Sequence, residues 1–587
     1  MKFNKKIYLP FQRVCDEAKE RFSTIERAIF LFFATTLILS VMYVLFWTND
    51  ALMVTIPKNG GALIEGSVNS PGFINPLLAI RDSDRDLSSL IYSGLVRISP
   101  SGEIINDLAE RYEIRENGTA YYFKIKDSAV FHDGAPVTAD DVKFTVERAQ
   151  DASVKSVKRA NWEGVSVEKI SDKEILFRLK QPYTPFILNT SLGVLPSHIW
   201  SAVEAEQIPF SQLNISPIGS GPYKIKSIQK DGSGVPSAYV LESFKQYTLG
   251  RPYISKIIFK FYPNQEALLQ AYNNNEIENM ATVMPKIARE LGNGGARVET
   301  APLARIFGVF FNQNQQTIFA APEVRDALEK AVDKNEIVNT VMLGFASAID
   351  GPFPSDIAKL MAAVEPAKTV ASASASSETA SANAEAVEIL ERAGWKFDDE
   401  KKVMVKKTKQ QTQELAFTLT TSNAPELRET AAILKTSWEK IGAKVEIKTH
   451  DPNDLNQNVI RPRKFDALLF GEIIGRDMDL FAFWHSSQRN DPGLNLAMYV
   501  NKDTDAILEE ARMSADQDDR IVKYSRFYDI LKREKPALFL YTPDFIYMVS
   551  PKIQGMALGQ ISISADRFSE VYKWYLETQK VWKVFLK

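Results

Sequence analysis

Residues 471–488 read GEIIGRDMDLFAFWHSSQ and gather Glu472, Asp477, Asp479 and His485 into one short run. Such a set can do three things. Two carboxylates can divide acid and base roles when their surroundings push their pKa values apart. Carboxylates and a histidine can hold a metal when they converge at ligand distance. They can also form the polar wall of a pocket, with Asp477 and Asp479 serving as N-terminal charges of a following helix. The third reading suits the run best. Trp484 and Tyr499 either stack on a ligand or fill a core. His132, His198 and His450 lie far apart and make no H-x-x-x-H spacing. There is no G-x-S-x-G elbow, no H-E-x-x-H and no P-loop. Gly219-Ser220-Gly221 leads into a strand, not into a helix N-terminus, so it does not read as a phosphate loop. No pair of acids stands out for glycoside hydrolysis. The residues point to binding without catalysis, with no metal and no cofactor.

The elements around the run say where it sits. LAFTLTTS (415–422), AKVEIKTH (443–450) and KFDALLFG (464–471) read as strands. PELRETAAILKTSWEKIG (425–442) reads as a helix between the first two. Strand–helix–strand spacing of this kind implies a parallel or mixed sheet, and ligands bind such sheets beyond the carboxyl ends of strands. Gly471–Gly475 therefore falls at an expected crevice, and its two glycines allow close backbone approach.

Earlier segments alternate in the same way. GALIEGSV (61–68), AYYFKIK (120–126), EILFRLK (174–180) and ISKIIFKFY (254–262) are strands, and NSPGFINP (69–76) is a loop. Thr138 followed by Asp141 resembles a capping box that opens a helix. PEVRDALEKAVDKNEIVNTVML (322–343) predicts one long amphipathic helix. AEAVEILERAGW (384–395) predicts a helix stopping at Gly394. Residues 367–383 are almost wholly Ala, Ser and Thr, and predict a solvated, disordered loop.

The chain has 587 residues, too many for one core, and a formal net charge of −2 with no basic block. Nucleic acid is not an expected partner. The single cysteine, Cys15, precedes the apolar run, unlike a lipoprotein signal, and reads as an ordinary thiol. AIFLFFATTLILSVMYVLFW (28–47) carries no charge and spans roughly 30 Å as a helix. No small-residue cleavage site follows it. Seven basic residues precede it (Lys2, Lys5, Lys6, Arg13, Lys19, Arg21, Arg27). The expectation is a cytoplasmic segment 1–27, a single-pass membrane anchor at 28–48 and an extracellular or periplasmic remainder.

Six fragments, in order, resemble bacterial extracellular solute-binding proteins of family 5, the oligopeptide- and dipeptide-binding receptors of ABC transporters. They are FHDGAPVTADDVKFTVERA (131–149), LPSHIW (195–200), IGSGPYKI (218–225), VRDALEKAVDKNEIV (324–338), AVEILERAGW (386–395) and PALFLYTPDF (536–545). The resemblance implies an α/β periplasmic-binding-protein type II fold, two lobes with a hinge and an extra subdomain. Residues 60–97, 197–304 and 546–587 would form lobe I, 98–196 the subdomain and 305–545 lobe II. The hinge would lie near Arg305–Phe310 and Tyr541–Ile546. It implies a peptide or similar small solute as ligand and an ABC permease as partner. Two loops would pair with the ligand backbone: Ser70, Gly72, Phe73 and Asn75 on one side, Gly471, Glu472, Ile473 and Gly475 on the other, with Trp484 as a stacking candidate. The family motif W-x-x-D-Y has Glu472 at its Trp position and Gly475 at its Asp position, so the usual amine-binding carboxylate is missing, leaving Glu472 or Asp477 to replace it. An oligosaccharide receptor, a surface scaffold that has lost transport, and a hydrolase are the alternatives.

Overall fold

Strands with period-two burial build one mixed sheet through most of residues 59–575. The computed structural model describes residues 23–354, 357, 378–407, 412–475, 479–514 and 516–585. Cys15, the 367–377 part of the Ala/Ser segment and Asp477 lie outside them.

The sheet runs in the order Lys444–His450, Ala416–Ser422, Ala467–Ile473, Arg305–Phe311, Ala537–Met548, Asn279–Ala281, Gly60–Val68, Ile254–Tyr262, Pro236–Ser243, Tyr223–Lys230. The 537–548 strand joins its two halves. One part of it pairs antiparallel with 305–311, from Phe307↔Tyr541 to Phe310↔Ala537. The other pairs with Val298–Pro302, from Val298↔Met548 to Pro302↔Asp544.

In the half that carries the 471–488 run, side chains alternate between two apolar layers, because successive strand residues face opposite ways. Val309, Phe311, Ala467 and Leu469 join one layer. It is covered by Val324 and Leu328 of the helix Pro322–Lys330, Leu390 of Glu378–Arg392, and Leu434 and Trp438 of Pro425–Lys440. Ile306, Phe310 and Leu468 join the other, under Leu508 of Lys502–Met513 and Phe527 and Leu531 of Gln517–Glu534. Residues 98–196 contribute a four-stranded antiparallel sheet ordered Ala109–Arg115, Ala120–Ile125, Glu174–Arg178, Ser166–Ser171, beside the helix Ala139–Gln150. The Thr138 N–H donates to Asp141 Oδ2 at 2.7 Å, which starts that helix as the sequence predicts.

Three expectations need correction. The long helix over 322–343 is two helices, Pro322–Lys330 and Lys334–Thr340. Asp333 breaks it: its Oδ1 accepts from the N–H groups of Asn335 (2.9 Å) and Glu336 (3.2 Å), a cap that starts a second helix. The Ala/Ser segment is helical from Glu378, six residues before the predicted helix start, because alanine favours helix wherever a following amphipathic turn can dock. That helix stops before Gly394, whose φ of 90° suits only glycine well. Residues 576–587, expected in lobe I, belong to a separate unit with residues 1–58. Within that unit the helix Thr24–Leu52 leads into the strand Met53–Lys58, which pairs antiparallel with Glu577–Trp582, from Met53↔Trp582 to Lys58↔Glu577.

Candidate ligand cleft

The 467–473 strand carries the predicted run to the edge of a cleft of about 1190 Å³. One wall comes from residues 160–189, the other from 473–513, with Ile473 and Ile474 at the strand end. On one side the strand is paired over its whole length, ending at Arg305↔Ile473. On the other side the pairing stops at Leu419↔Ala467 and Thr420↔Leu468. Among the described residues no strand covers that side of residues 470–473. Ile473 is half-exposed there.

The predicted residues divide. Ile473 lines the cleft. Gly471 serves packing: a Cβ would fall 2.7 Å from the Phe307 ring, which stacks on Tyr541 at 5.1 Å. Gly475 has φ 78°, the turn that takes the chain off the strand. Glu472 follows the parity of Leu468 and faces the second apolar layer. It is 4% exposed and neither carboxylate oxygen has a hydrogen-bond partner. Burial drives its pKa well above the usual carboxylate range, and the nearby Arg463 charge opposes this only in part. Arg463 donates to the carbonyls of Arg489 (3.0 Å), Ile460 (2.6 Å) and Gly493 (2.7 Å) and makes no hydrogen bond to Glu472. In this conformation Glu472 offers nothing to a cleft occupant. Trp484 is fully buried among Phe310, Tyr499, Phe527 and Phe539. It is core, because the last turn of the helix Phe481–Trp484 sets it among these four rings.

Ser70, Gly72, Phe73 and Asn75 of the first predicted loop do not line this cleft. Ser70 Oγ donates to the Pro236 carbonyl at 2.7 Å. The N–H groups of Gly72 and Phe73 donate to Asp84 Oδ1 at 2.7 and 3.0 Å. Asn75 is fully buried and donates to Asn214 Oδ1 at 3.0 Å. These bonds fold the loop onto the helix Asp82–Ile91.

Asp479, together with residues that the sequence did not single out, bridges the cleft walls. Asp479 accepts from Arg512 Nε at 2.9 Å and from Tyr183 Oη at 3.3 Å. It also accepts from the Phe481 N–H at 3.2 Å, the helix-start role expected of it. The Arg512 guanidinium lies 4.2 Å over the Phe481 ring and 5.1 Å over that of Tyr183. Thr184 adds two bonds, N–H to the Arg512 carbonyl (3.2 Å) and Oγ1 to the Ser514 carbonyl (2.8 Å). No sequence signal marked Tyr183 or Arg512, since Tyr183 stands 296 positions from Asp479 in the chain and meets it only in the fold.

A two-lobed sheet joined by a shared strand, with a cleft at strand ends, defines a binding protein of the type II periplasmic class. Residues 103–493 match bacterial extracellular solute-binding proteins, family 5 (middle region), and the chain belongs to that family. It is 28% identical over 514 residues to the oligopeptide-binding protein AppA of Bacillus subtilis, covering 85% of this chain and 89% of AppA. It is 23% identical over 544 residues to the dipeptide-binding protein of Escherichia coli, covering 87% and 95%. The structure of AppA in complex with a nonapeptide superposes with a TM-score of 0.66 at 26% identity, over 89% of this chain and all of that one. The substrate-binding protein CtaP of Listeria monocytogenes superposes with a TM-score of 0.72 at 26% identity, over 88% and 100%.

Proposed function

We propose that this protein is a membrane-anchored receptor that captures peptides outside the cell and delivers them to an ABC importer, closing its lobes over the ligand. The observation that carries this is the strand end at Ile473, uncovered on one side where it lines a cleft of about 1190 Å³. A strand edge offers main-chain donors and acceptors to an extended peptide, and such pairing tolerates many side chains. The volume exceeds the roughly 300–1,000 Å³ typical of small-molecule sites, which suits a chain of several residues. The relatives support the same ligand class: AppA was solved with a nonapeptide. In this reading the ligand pairs with the strand end at Ile473, and the Ser70–Phe73 loop, held on Asp84 and Pro236, takes no part in the pairing.

The anchor in this reading is the helix Thr24–Leu52. Its Phe30, Leu31, Phe32, Leu37 and Leu45 are each more than half exposed, and none of its membrane-length window is buried by protein. An apolar helix in that state needs a lipid partner.

Native mass spectrometry of the full chain, extracted in mild detergent and never refolded, tests the ligand class. Co-purified peptides of mixed sequence are expected. A hexose ladder would promote the oligosaccharide alternative and end the peptide reading.

A further inference from the structure

Beside the cleft, and divided from it by Asn161 and Asn189, lies a second cavity of about 270 Å³. The two asparagines bond to each other at 3.0 Å, Asn161 Nδ2 to Asn189 Oδ1 and Asn189 Nδ2 to the Asn161 carbonyl. Three cations line the cavity: Arg85, Arg97 and Lys158. Two acids line it as well, and both are occupied. Asp107 binds Arg97 at 3.0 Å and accepts from the hydroxyls of Tyr247 and Thr248. Asp566 accepts from the N–H groups of Ser562 (2.7 Å) and Ile563 (3.0 Å). Arg85 and Lys158 form no ion pair and donate no side-chain hydrogen bond among the described residues. Lys158 is exposed at the cavity mouth, and its ammonium is held below its usual pKa first by partial desolvation and then by the Arg85 charge, with Asp566 opposing. Two like charges facing one cavity repel each other until an anion sits between them. The walls also hold hydroxyls with nothing to bond. Tyr92 is 3% exposed and Ser569 is 8% exposed, and neither hydroxyl has a partner. Buried polar groups without partners are uncommon in finished cores.

The geometry points to an anion pocket: this cavity takes an oxyanion group, a carboxylate or a phosphate, between Arg85 and Lys158, with Tyr92 and Ser569 as hydroxyl donors. Because it adjoins the cleft through the Asn161–Asn189 pair, it selects solutes that carry an acidic group. That last step rests on the receptor reading above; the pocket itself does not.

Isothermal titration of the full chain in detergent, with citrate and with orthophosphate as separate probes, tests it. Saturable binding of at least one probe is expected. Citrate alone would assign a carboxylate, orthophosphate alone a phosphate. Arg85→Gln with Lys158→Gln should weaken that binding at least tenfold, and Tyr92→Phe should weaken it by a smaller factor while preserving the thermal melt. No saturable binding by the wild-type chain, or equal affinity in the double variant, would overturn the pocket. Peptide co-purification read in parallel separates the two readings. Peptides without anion binding leave the receptor and remove the pocket, whereas anion binding without peptides does the reverse.

Discussion

Two buried acids set the residue scale. Glu472 is surrounded by apolar layer, and burial raises its pKa well above normal in the folded chain. A carboxyl raised on folding contributes fully below its unfolded pKa of about 4.3 and loses that contribution as pH rises toward the folded value. Glu472→Gln should therefore melt like the wild type at pH 4 and above it at pH 8. Glu472→Met, which also removes the unpaired polar atoms, should stabilise by about 1–3 kcal/mol at pH 7. Thermal melts across pH check both, and a variant that melts lower at pH 8 would contradict the buried placement. The second acid, Glu65, is fully buried and raised to about 7 by burial, against the pull of Arg567. It accepts from the Tyr547 hydroxyl, and Arg567 holds Asp86 through two bonds of 2.9 and 2.7 Å. Removing the cation would leave a buried carboxylate without its partner. Arg567→Met should cost about 3–5 kcal/mol by chemical denaturation, and a loss under about 1 kcal/mol would mean that Asp86 finds another partner.

At the scale of elements, the break at Ala331–Asp333 is the sharpest departure from the periodic pattern. The apolar stripe of Val324, Leu328 and Val332 continues through it, so the period alone predicts one helix. The carboxylate of Asp333 wins locally by satisfying two N–H groups that a continuous helix would bond to its own backbone. Asp333→Ala should lose about 0.5–2 kcal/mol of stability, the usual value of such a cap. Asp333→Asn should recover most of it, since the amide oxygen also caps. Equal melts for wild type and alanine variant would show that packing, not the cap, sets the break.

The whole molecule is where the cleft and the anchor are decided. The Arg512–Asp479–Tyr183 bridge joins walls contributed by residues 160–189 and 473–513, and in the closing receptor proposed above it would hold the closed arrangement. The ion pair and the cation–π contacts are partly exposed and worth about 1 kcal/mol or less each. Arg512→Ala should reduce apparent ligand affinity by up to about tenfold and leave a larger radius of gyration in solution scattering at the same ligand concentration. A rigid scaffold would show the same radius in both proteins, with and without ligand. For the anchor, protease added to intact cells should release a fragment beginning after residue 52. A protected bulk would reverse the orientation, and a mature chain starting after residue 47 would replace the anchor with a cleaved leader.

Much was legible from residues alone, wherever the cause was local. Strands such as Ala467–Ile473, the helix over 425–440 and the start at Thr138 follow from alternation, period and capping, which act within a few residues. The apolar run near the N-terminus is likewise a property of composition. The family, too, was carried by six short fragments in order. What only the tertiary structure decided are the facings. Whether Glu472 looks into the cleft or the core depends on the parity of the strand against its neighbours, and one position separates the two outcomes. Trp484 became core because four rings from distant segments close around it. Tyr183, Arg512, Arg85 and Lys158 acquire meaning only when segments far apart in the chain meet across a cavity, and no pattern in a single run encodes that meeting.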